Sequence, residues 1–250
     1  MKVYFVGAGP GDAELLTLKA QRIIAGADVI IYAGSLVNPE VLKWAGEGVP
    51  RLNSAAMTLE DVTRVFSQAK AEGKIVARIH SGDPSLFSAI QEQMDWCRAH
   101  DIGFQVVPGV SAFSAASAAL EQELTLPGVT QTVILSRMGK RTPVPDSEGL
   151  RELARTGATL VLFLSVHLIE EVVGQLKDAY PWETQVAVVE RASWPDERVV
   201  RGSLTDIAVK VKEAGISRTA IIIVGHVLKG GYERSLLYDP GFAHSQRQKR

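Results

Sequence analysis

The residues best suited to chemistry lie in three short glycine-containing stretches: GAGPGD at 7–12, SGDP at 81–84 and PGVSA at 108–112. Each follows an apolar run that reads as a β-strand, and loops at the carboxyl ends of parallel strands are where open α/β sheets bind ligands. The first stretch looks like a dinucleotide fingerprint, whose glycines let the backbone approach a pyrophosphate at a helix N-terminus. Gly7 and Gly9 fit, but Asp12 stands where the third glycine belongs and would repel a phosphate. Pro10 removes a backbone N–H from the loop. The helix starts late, with Thr17 as N-cap before LKAQRIIAGA. The second strand, ending VIIY at 29–32, runs into Ala33-Gly34-Ser35 without the acid that would hold a ribose. A phosphate cradle is disfavoured, which leaves a plain βα turn or a site for another ligand.

In the second stretch, Asp83 reads as an N-cap and Pro84 as the first residue of a helix over 85–98, with Leu86 and Ile90 on its buried face. Three such loops at one sheet edge would line a concave site with backbone amides and no cationic side chain. That wall suits a ligand held by main-chain hydrogen bonds better than a triphosphate. PGVSAF lacks the second glycine of a nucleophile elbow, so Ser111 is a poor serine-hydrolase candidate. The five histidines, His80, His100, His167, His226 and His244, show no metal-ligand spacing. His80 directly precedes the SGDP loop and is the one placed to touch a substrate, the alternative being a hydrogen-bonded structural histidine. Arg137, Lys140 and Arg141 in SRMGKRTPVP form a basic cluster that would either bind carboxylates or simply stay solvated.

The elements that must position these loops alternate from the start of the chain, which argues for an α/β fold with a largely parallel sheet. Strands are expected at 3–7, 28–32, 75–79 and 104–107, and helices at 17–26, 59–71, 85–98 and 111–123. The last helix is rich in serine and alanine, which permits close approach of a ligand or of another core element. A proline-glycine turn interrupts the pattern in LTLPGVTQ at 124–131. Strands then resume at 132–136, 159–164, 185–190 and 220–225, and ASWPDERVVRGSL suggests one antiparallel hairpin. Two tandem α/β domains follow, 1–125 and 126–228, with a tail at 229–250. A cleft between two such domains is a favoured ligand site.

Composition narrows the class. At 46% hydrophobic and 22% charged residues the chain is an ordinary globular protein, and its net charge of −1 offers no broad attraction to nucleic acid or an acidic membrane. Cys97 is the only cysteine, which excludes an internal disulfide and a cysteine-based zinc site. The N-terminus enters a strand after one lysine, and the longest apolar stretch, TLVLFLSVHLI, is too short to span a bilayer, so a soluble cytoplasmic protein is expected.

With VGAGPGDAELLTLKA, HSGDPSLFSAI and VVPGVSAFSAA in this order, the chain resembles the tetrapyrrole (corrin/porphyrin) methyltransferase family from Val3 to about Val227. Within the family, YAGSLVNPEVL, NSAAMTLED and ELTLPGVTQTVILSRMGKRTPVP look like the branch that methylates precorrin-4 at C11 in cobalamin (vitamin B12) synthesis, giving precorrin-5. The resemblance implies two α/β domains with the active site in the interdomain cleft, S-adenosyl-L-methionine as co-substrate, no protein-bound metal, and a homodimer. It puts Pro10, Ser81, Gly82, Asp83, Leu86, Ser111 and Ala112 at the cofactor from the first domain. From the second come Leu164, Ala192, Thr219 and Ala220. A methionine is common in the family where Leu164 stands, and leucine keeps the apolar contact. Members acting on uroporphyrinogen carry an acid just after the equivalent of Tyr32, which Ala33 here replaces.

The reaction so implied is an in-line displacement in which the protein aligns a ring carbon with the methyl–sulfur bond. Orientation of that kind is worth about 7–11 kcal/mol. Arg137, Lys140 and Arg141 would hold the carboxylates of the precorrin, and His80 is the nominated catalytic residue should a proton leave the ring. Cobalt-precorrin-4 is an alternative substrate, as is another precorrin ring position. A diphthamide-pathway methyltransferase shares the fold. A non-catalytic tetrapyrrole-binding protein and a nucleotide-dependent oxidoreductase are the rivals from other classes.

Overall fold

The structure, a computed structural model, describes residues 1–140 and 142–243; Arg141 and His244 lie outside these. The chain divides into two compact units, Met1–Ala116 with Arg191–Glu197, and Ser117–Glu190 with Arg198 onward. The fold is α/β in both. Among the described residues no helix is long and apolar enough to cross a membrane.

The first unit is built on five parallel strands in the order β3-β2-β4-β1-β5: β1 Lys2–Gly7, β2 Val29–Tyr32, β3 Arg51–Asn53, β4 Ile75–His80 and β5 Phe104–Val107. A parallel sheet needs cover on both faces, and its strands therefore read as apolar runs. Helix α1 (Leu18–Ala25) covers one face, where Ala20 and Ile24 pack with Val6, Ile30, Ala77 and Ile79. Helices α2 (Leu59–Ala71) and α3 (Gln91–Ala99) cover the other, where Val62, Phe66 and Cys97 pack with Val3, Phe5, Ile31 and Val76. The period-two alternation of strand residues separates these two sets. Thr17 caps α1 as expected, accepting from Ala20 N at 3.1 Å. Thr58 and Asp61 cap α2 reciprocally, an arrangement worth about 1 kcal/mol.

Helix α4 (Ala112–Ala119) carries the chain into the second unit. There follow β6 Val133–Arg137, α5 Leu150–Ala154, β7 Thr159–Phe163, α6 Ile169–Leu176, β8 Gln185–Glu190, β9 Arg198–Ser203, α7 Ile207–Glu213 and β10 Ala220–Val224. The sheet order is β6-β7-β10-β8-β9, with β6 and β7 parallel and the remaining pairs antiparallel. The expected hairpin is the β8–β9 pair. One sheet face packs Leu160, Leu162, Val188 and Ile222 against Leu150, Ile169, Val172 and Ile207 of the three helices.

Two helices differ from the sequence-based expectation. Residues 84–90 are not helical; Phe87 and Ala89 take left-handed φ values of 54° and 49°, and α3 begins only at Gln91. Asp83 is no helix cap, because no helix follows it: one carboxylate oxygen closes a local turn on Ser85 N and the other reaches Gly109 N, both at 2.8 Å. Helix α4 stops four residues before the expected 123, ahead of left-handed Glu121 at φ 52°.

Candidate functional site

The three glycine-containing loops leave the C-terminal ends of β1, β4 and β5, three adjacent strands in the order β4-β1-β5, and they meet backbone to backbone. Gly9 and Gly82 form an antiparallel bridge, with Gly82 N donating to Gly9 O at 2.8 Å and Gly9 N to Gly82 O at 3.2 Å. Ala8 N donates to His80 O at 2.8 Å. A β-carbon on Gly109 would stand 2.3 Å from Gly82 O and 2.9 Å from Gly7 Cα; one on Gly7 would stand 2.6 Å from Gly109 N. No side chain fits between these loops. Glycine is required at these two positions by close approach rather than by an unusual φ.

Asp83 then fixes the second loop to the third. Besides the two backbone amides, its carboxylate accepts from Ser85 Oγ. Burial would raise its pKa, but the hydrogen bonds from Ser85 and Gly109 outweigh burial and hold the carboxyl below its ordinary range. The only charged side chains on the three loops are Asp12 and Asp83, both acids. Such a rim favours a cationic ligand and repels phosphates, in agreement with the reading of GAGPGD above. Pro10 and Gly82 are buried, Ser81, Leu86 and Ala112 are half-buried, and Ser111 is buried at the start of α4.

The Pro10–Asp12 turn is held by side chains from far away in the sequence. Trp194 Nε1 donates to Pro10 O at 2.8 Å, Asn38 Nδ2 to Gly11 O at 2.9 Å, and Asp12 N to Ser193 Oγ at 3.0 Å. Ala192, a nominated cofactor residue, is buried in the same 191–197 segment and so belongs to the first unit. Sequence reading missed Asn38, Ser193 and Trp194. Their only signal was a turn-forming WPD and an asparagine before a proline.

Below the second loop, β4 turns Arg78 and His80 to the same sheet face as Val76 and the α2–α3 core. Both are buried, and among the described residues Arg78 Nη1 and His80 Nε2 have no hydrogen-bond partner. Arg78 Nε donates to Gln93 Oε1 at 3.2 Å, and Gln93 Nε2 to the carbonyl of left-handed Ala89 at 3.1 Å. Burial, and secondarily the nearby guanidinium, push the His80 pKa down to about 3. A ring so enclosed is a weak base at neutral pH, and its position is under the loop rather than on the rim.

In the second unit, strand register gathers Arg137, Leu164, Thr219 and Ala220 at one sheet edge. Arg137 at the end of β6 pairs with Phe163, which precedes Leu164, and Ala220 opens β10 opposite Glu190 at the end of β8. The Ile222–Leu162 pairing carries the β10–β7 ladder to the same edge. Leu164 and Thr219 are exposed in left-handed conformations, φ 53° and 52°. Arg137 engages its own loop, donating to Thr142 O at 2.9 Å and Pro143 O at 3.0 Å. Lys140 pairs with Glu171 at 2.6 Å, both exposed.

Comparison with known proteins gives a consistent family. The sequence profile of the family described as Tetrapyrrole (Corrin/Porphyrin) Methylases matches residues 2–208. The chain is 51% identical to the cobalt-precorrin-4 C(11)-methyltransferase of Methanocaldococcus jannaschii, over 99% of this chain and 96% of that protein. It is 48% identical to the precorrin-4 C(11)-methyltransferase of Rhodococcus erythropolis, over 95% and 96% respectively. The solved structure of a cobalt precorrin-4 methyltransferase, a cobalamin biosynthetic enzyme, superposes with a TM-score of 0.89 at 41% identity, covering 91% of this chain and 95% of that one. The uroporphyrin-III C-methyl transferase of Thermus thermophilus complexed with S-adenyl homocysteine gives 0.77 at 30% identity, covering 92% and 99%.

Two outcomes follow from this geometry. Gly109→Ala forces a β-carbon into backbone and is expected to lower stability by about 1–3 kcal/mol or more in urea denaturation. Gly103→Ala, where a β-carbon meets nothing within 4 Å, serves as the control and should change stability by less than about 0.5 kcal/mol. For His80 the folded pKa of about 3 lies below the ordinary 6.5. Between these values the unfolded chain binds a proton that the native state does not, so stability falls on acidification by up to about 1.4 kcal/mol per pH unit. His80→Asn should flatten that slope between pH 6.5 and 4 in denaturation series; an unchanged slope would show that the ring is not held neutral.

Proposed function

The chain belongs to the tetrapyrrole (corrin/porphyrin) methylase family, and from that membership we propose that it transfers a methyl group from S-adenosyl-L-methionine to C11 of precorrin-4, giving precorrin-5 in cobalamin synthesis. The observation that carries this reading is near full-length identity of about half to relatives named for C11 methylation. The site supports the co-substrate on independent grounds. S-adenosylmethionine would supply an already electrophilic methyl on a positively charged sulfur, and the charged groups of the three loops are acids only.

In this proposal Pro10, Ser81, Gly82, Asp83, Leu86, Ser111, Ala112 and Ala192 hold the co-substrate from the first unit, and Leu164, Thr219 and Ala220 from the second. The chain's own contribution is orientation. Loops joined through glycine backbone cannot yield to a misplaced ligand without breaking the Gly9–Gly82 bridge. A rim of fixed peptide dipoles also needs no reorganisation as the sulfonium charge disappears. Arg137, Lys140 and Arg141 are assigned to the substrate carboxylates. Arg137 already spends two of its five donors on its own loop, which presents the guanidinium in a fixed plane. Lys140 would have to exchange Glu171 for the substrate, so its contribution should be the smaller. His80 enters as support beneath the SGDP loop, because its burial leaves it too weak a base to accept a ring proton near neutral pH.

A second reading, cobalt-precorrin-4 as the substrate, is favoured by the 51% identity to the relative named for that compound. Incubation with methyl-labelled S-adenosylmethionine and each precorrin, followed by NMR of the product, decides between them. Label at C11 is the expected result, and the substrate with the larger kcat/KM is the native form. Label at another ring carbon would overturn the C11 assignment.

A further inference from the structure

We propose that Trp194 is a positioning residue for the co-substrate: it latches the Pro10–Asp12 turn and thereby fixes Pro10 and Ala192 relative to each other. This rests on the reading above that both residues face S-adenosylmethionine. Asp12 bonds forward to Glu14 N and Leu15 N, but Pro10 has no N–H, and Pro10 O, Gly11 O and Asp12 N are each bonded to a side chain from outside the loop. Of these, Trp194 makes the most extensive contact. Its indole N–H donates to Pro10 O, and its ring lies so close over Gly11 that a β-carbon there would come within 2.0 Å of Cδ1. Gly11 has no positive φ to explain its presence; the space is taken by the indole.

The segment that presents Trp194 is shaped for the purpose. Arg191 and Ser193 both adopt left-handed φ values, 50° and 67°, which non-glycine residues keep only where surroundings over-determine them. Three contacts brace the bend. Ser193 N donates to Glu197 Oε2 at 2.7 Å, the Arg191 guanidinium lies 4.3 Å from the Trp194 ring centroid, and Arg191 pairs with Asp196. Ser193 thus offers its hydroxyl to Asp12 N while its own amide is occupied. A residue that only filled core volume would not need two strained neighbours, an indole donor and a glycine opposite it.

The test compares wild type, Trp194→Phe, Gly11→Ala and the double variant. Trp194→Phe keeps a ring over Gly11 but removes the donor, and Gly11→Ala keeps the donor but displaces the ring. Calorimetric titration with S-adenosylhomocysteine should show each single variant bound about tenfold more weakly, as for the loss of one hydrogen bond of ordinary strength. The double variant should bind no more weakly than Gly11→Ala, since both changes open the same latch. Hydrogen exchange at the Gly11 and Asp12 amides should accelerate in both single variants. Ligand addition should change the emission of Trp194 in wild type, a change missing from Trp194→Phe. Wild-type affinity in Trp194→Phe, or additive losses in the double variant, would overturn the latch while leaving the co-substrate reading intact. Failure of the wild-type protein to bind S-adenosylhomocysteine would overturn the co-substrate reading and this role with it.

Discussion

Everything at the site depends on a place where backbone touches backbone. Parallel strands spaced at the ordinary hydrogen-bonding distance bring the ends of β4, β1 and β5 side by side, and the loops leaving them have nowhere to put a β-carbon. Gly7 and Gly109 are the answer to that crowding, while Gly82 supplies a left-handed φ of 63°. The bridge between Gly9 and Gly82 then extends sheet-like pairing beyond the sheet itself. Because side chains are excluded from the junction, its surface is made of peptide groups, and its charge comes only from acids at the periphery. A wall of peptide groups and a rim whose charges are all acids are two features of one crowded junction.

The loops are made rigid in different ways. The second and third are joined by a local device, the Asp83 carboxylate, whose hydrogen bonds more than offset the cost of its partial burial. The end of the second loop is held from below by Arg78 through Gln93 to Ala89. That tie buries a guanidinium with one nitrogen unpartnered beside an imidazole forced to stay neutral, a costly arrangement for a core otherwise made of aliphatic and aromatic groups. Buried polar groups of this sort fix one geometry rather than add stability.

Much of this was legible in the sequence where the signal is local. The apolar runs at β1, β2, β4 and β5, the Thr17 cap and the β8–β9 hairpin follow from periodicity and turn residues alone. The unsuitability of GAGPGD for phosphate could be read from Pro10 and Asp12. What failed was decided by distant partners. Asp83-Pro84 has the local form of a helix start, yet the carboxylate is claimed by Gly109, twenty-six residues on, and the helix waits until Gln91. His80 read as placed to touch a substrate because it adjoins the SGDP loop, but strand alternation sends its ring into the α2–α3 core with Arg78. β3 is only three residues long, too short for any periodic pattern. Trp194 gave no warning, since nothing in its neighbours says that it answers to Gly11.

The membership of residues 191–197 in the first unit has a consequence for how such a chain can be cut and rejoined. A gene fusion or duplication that treated the two halves as separable cassettes would part the N-terminal sheet from seven residues encoded downstream of β8. The N-terminal fragment would keep all five strands and present a bare glycine where an indole belongs. The two halves are therefore not interchangeable modules, and recombination between relatives is constrained to bring the segment around Trp194 together with the loop around Gly11.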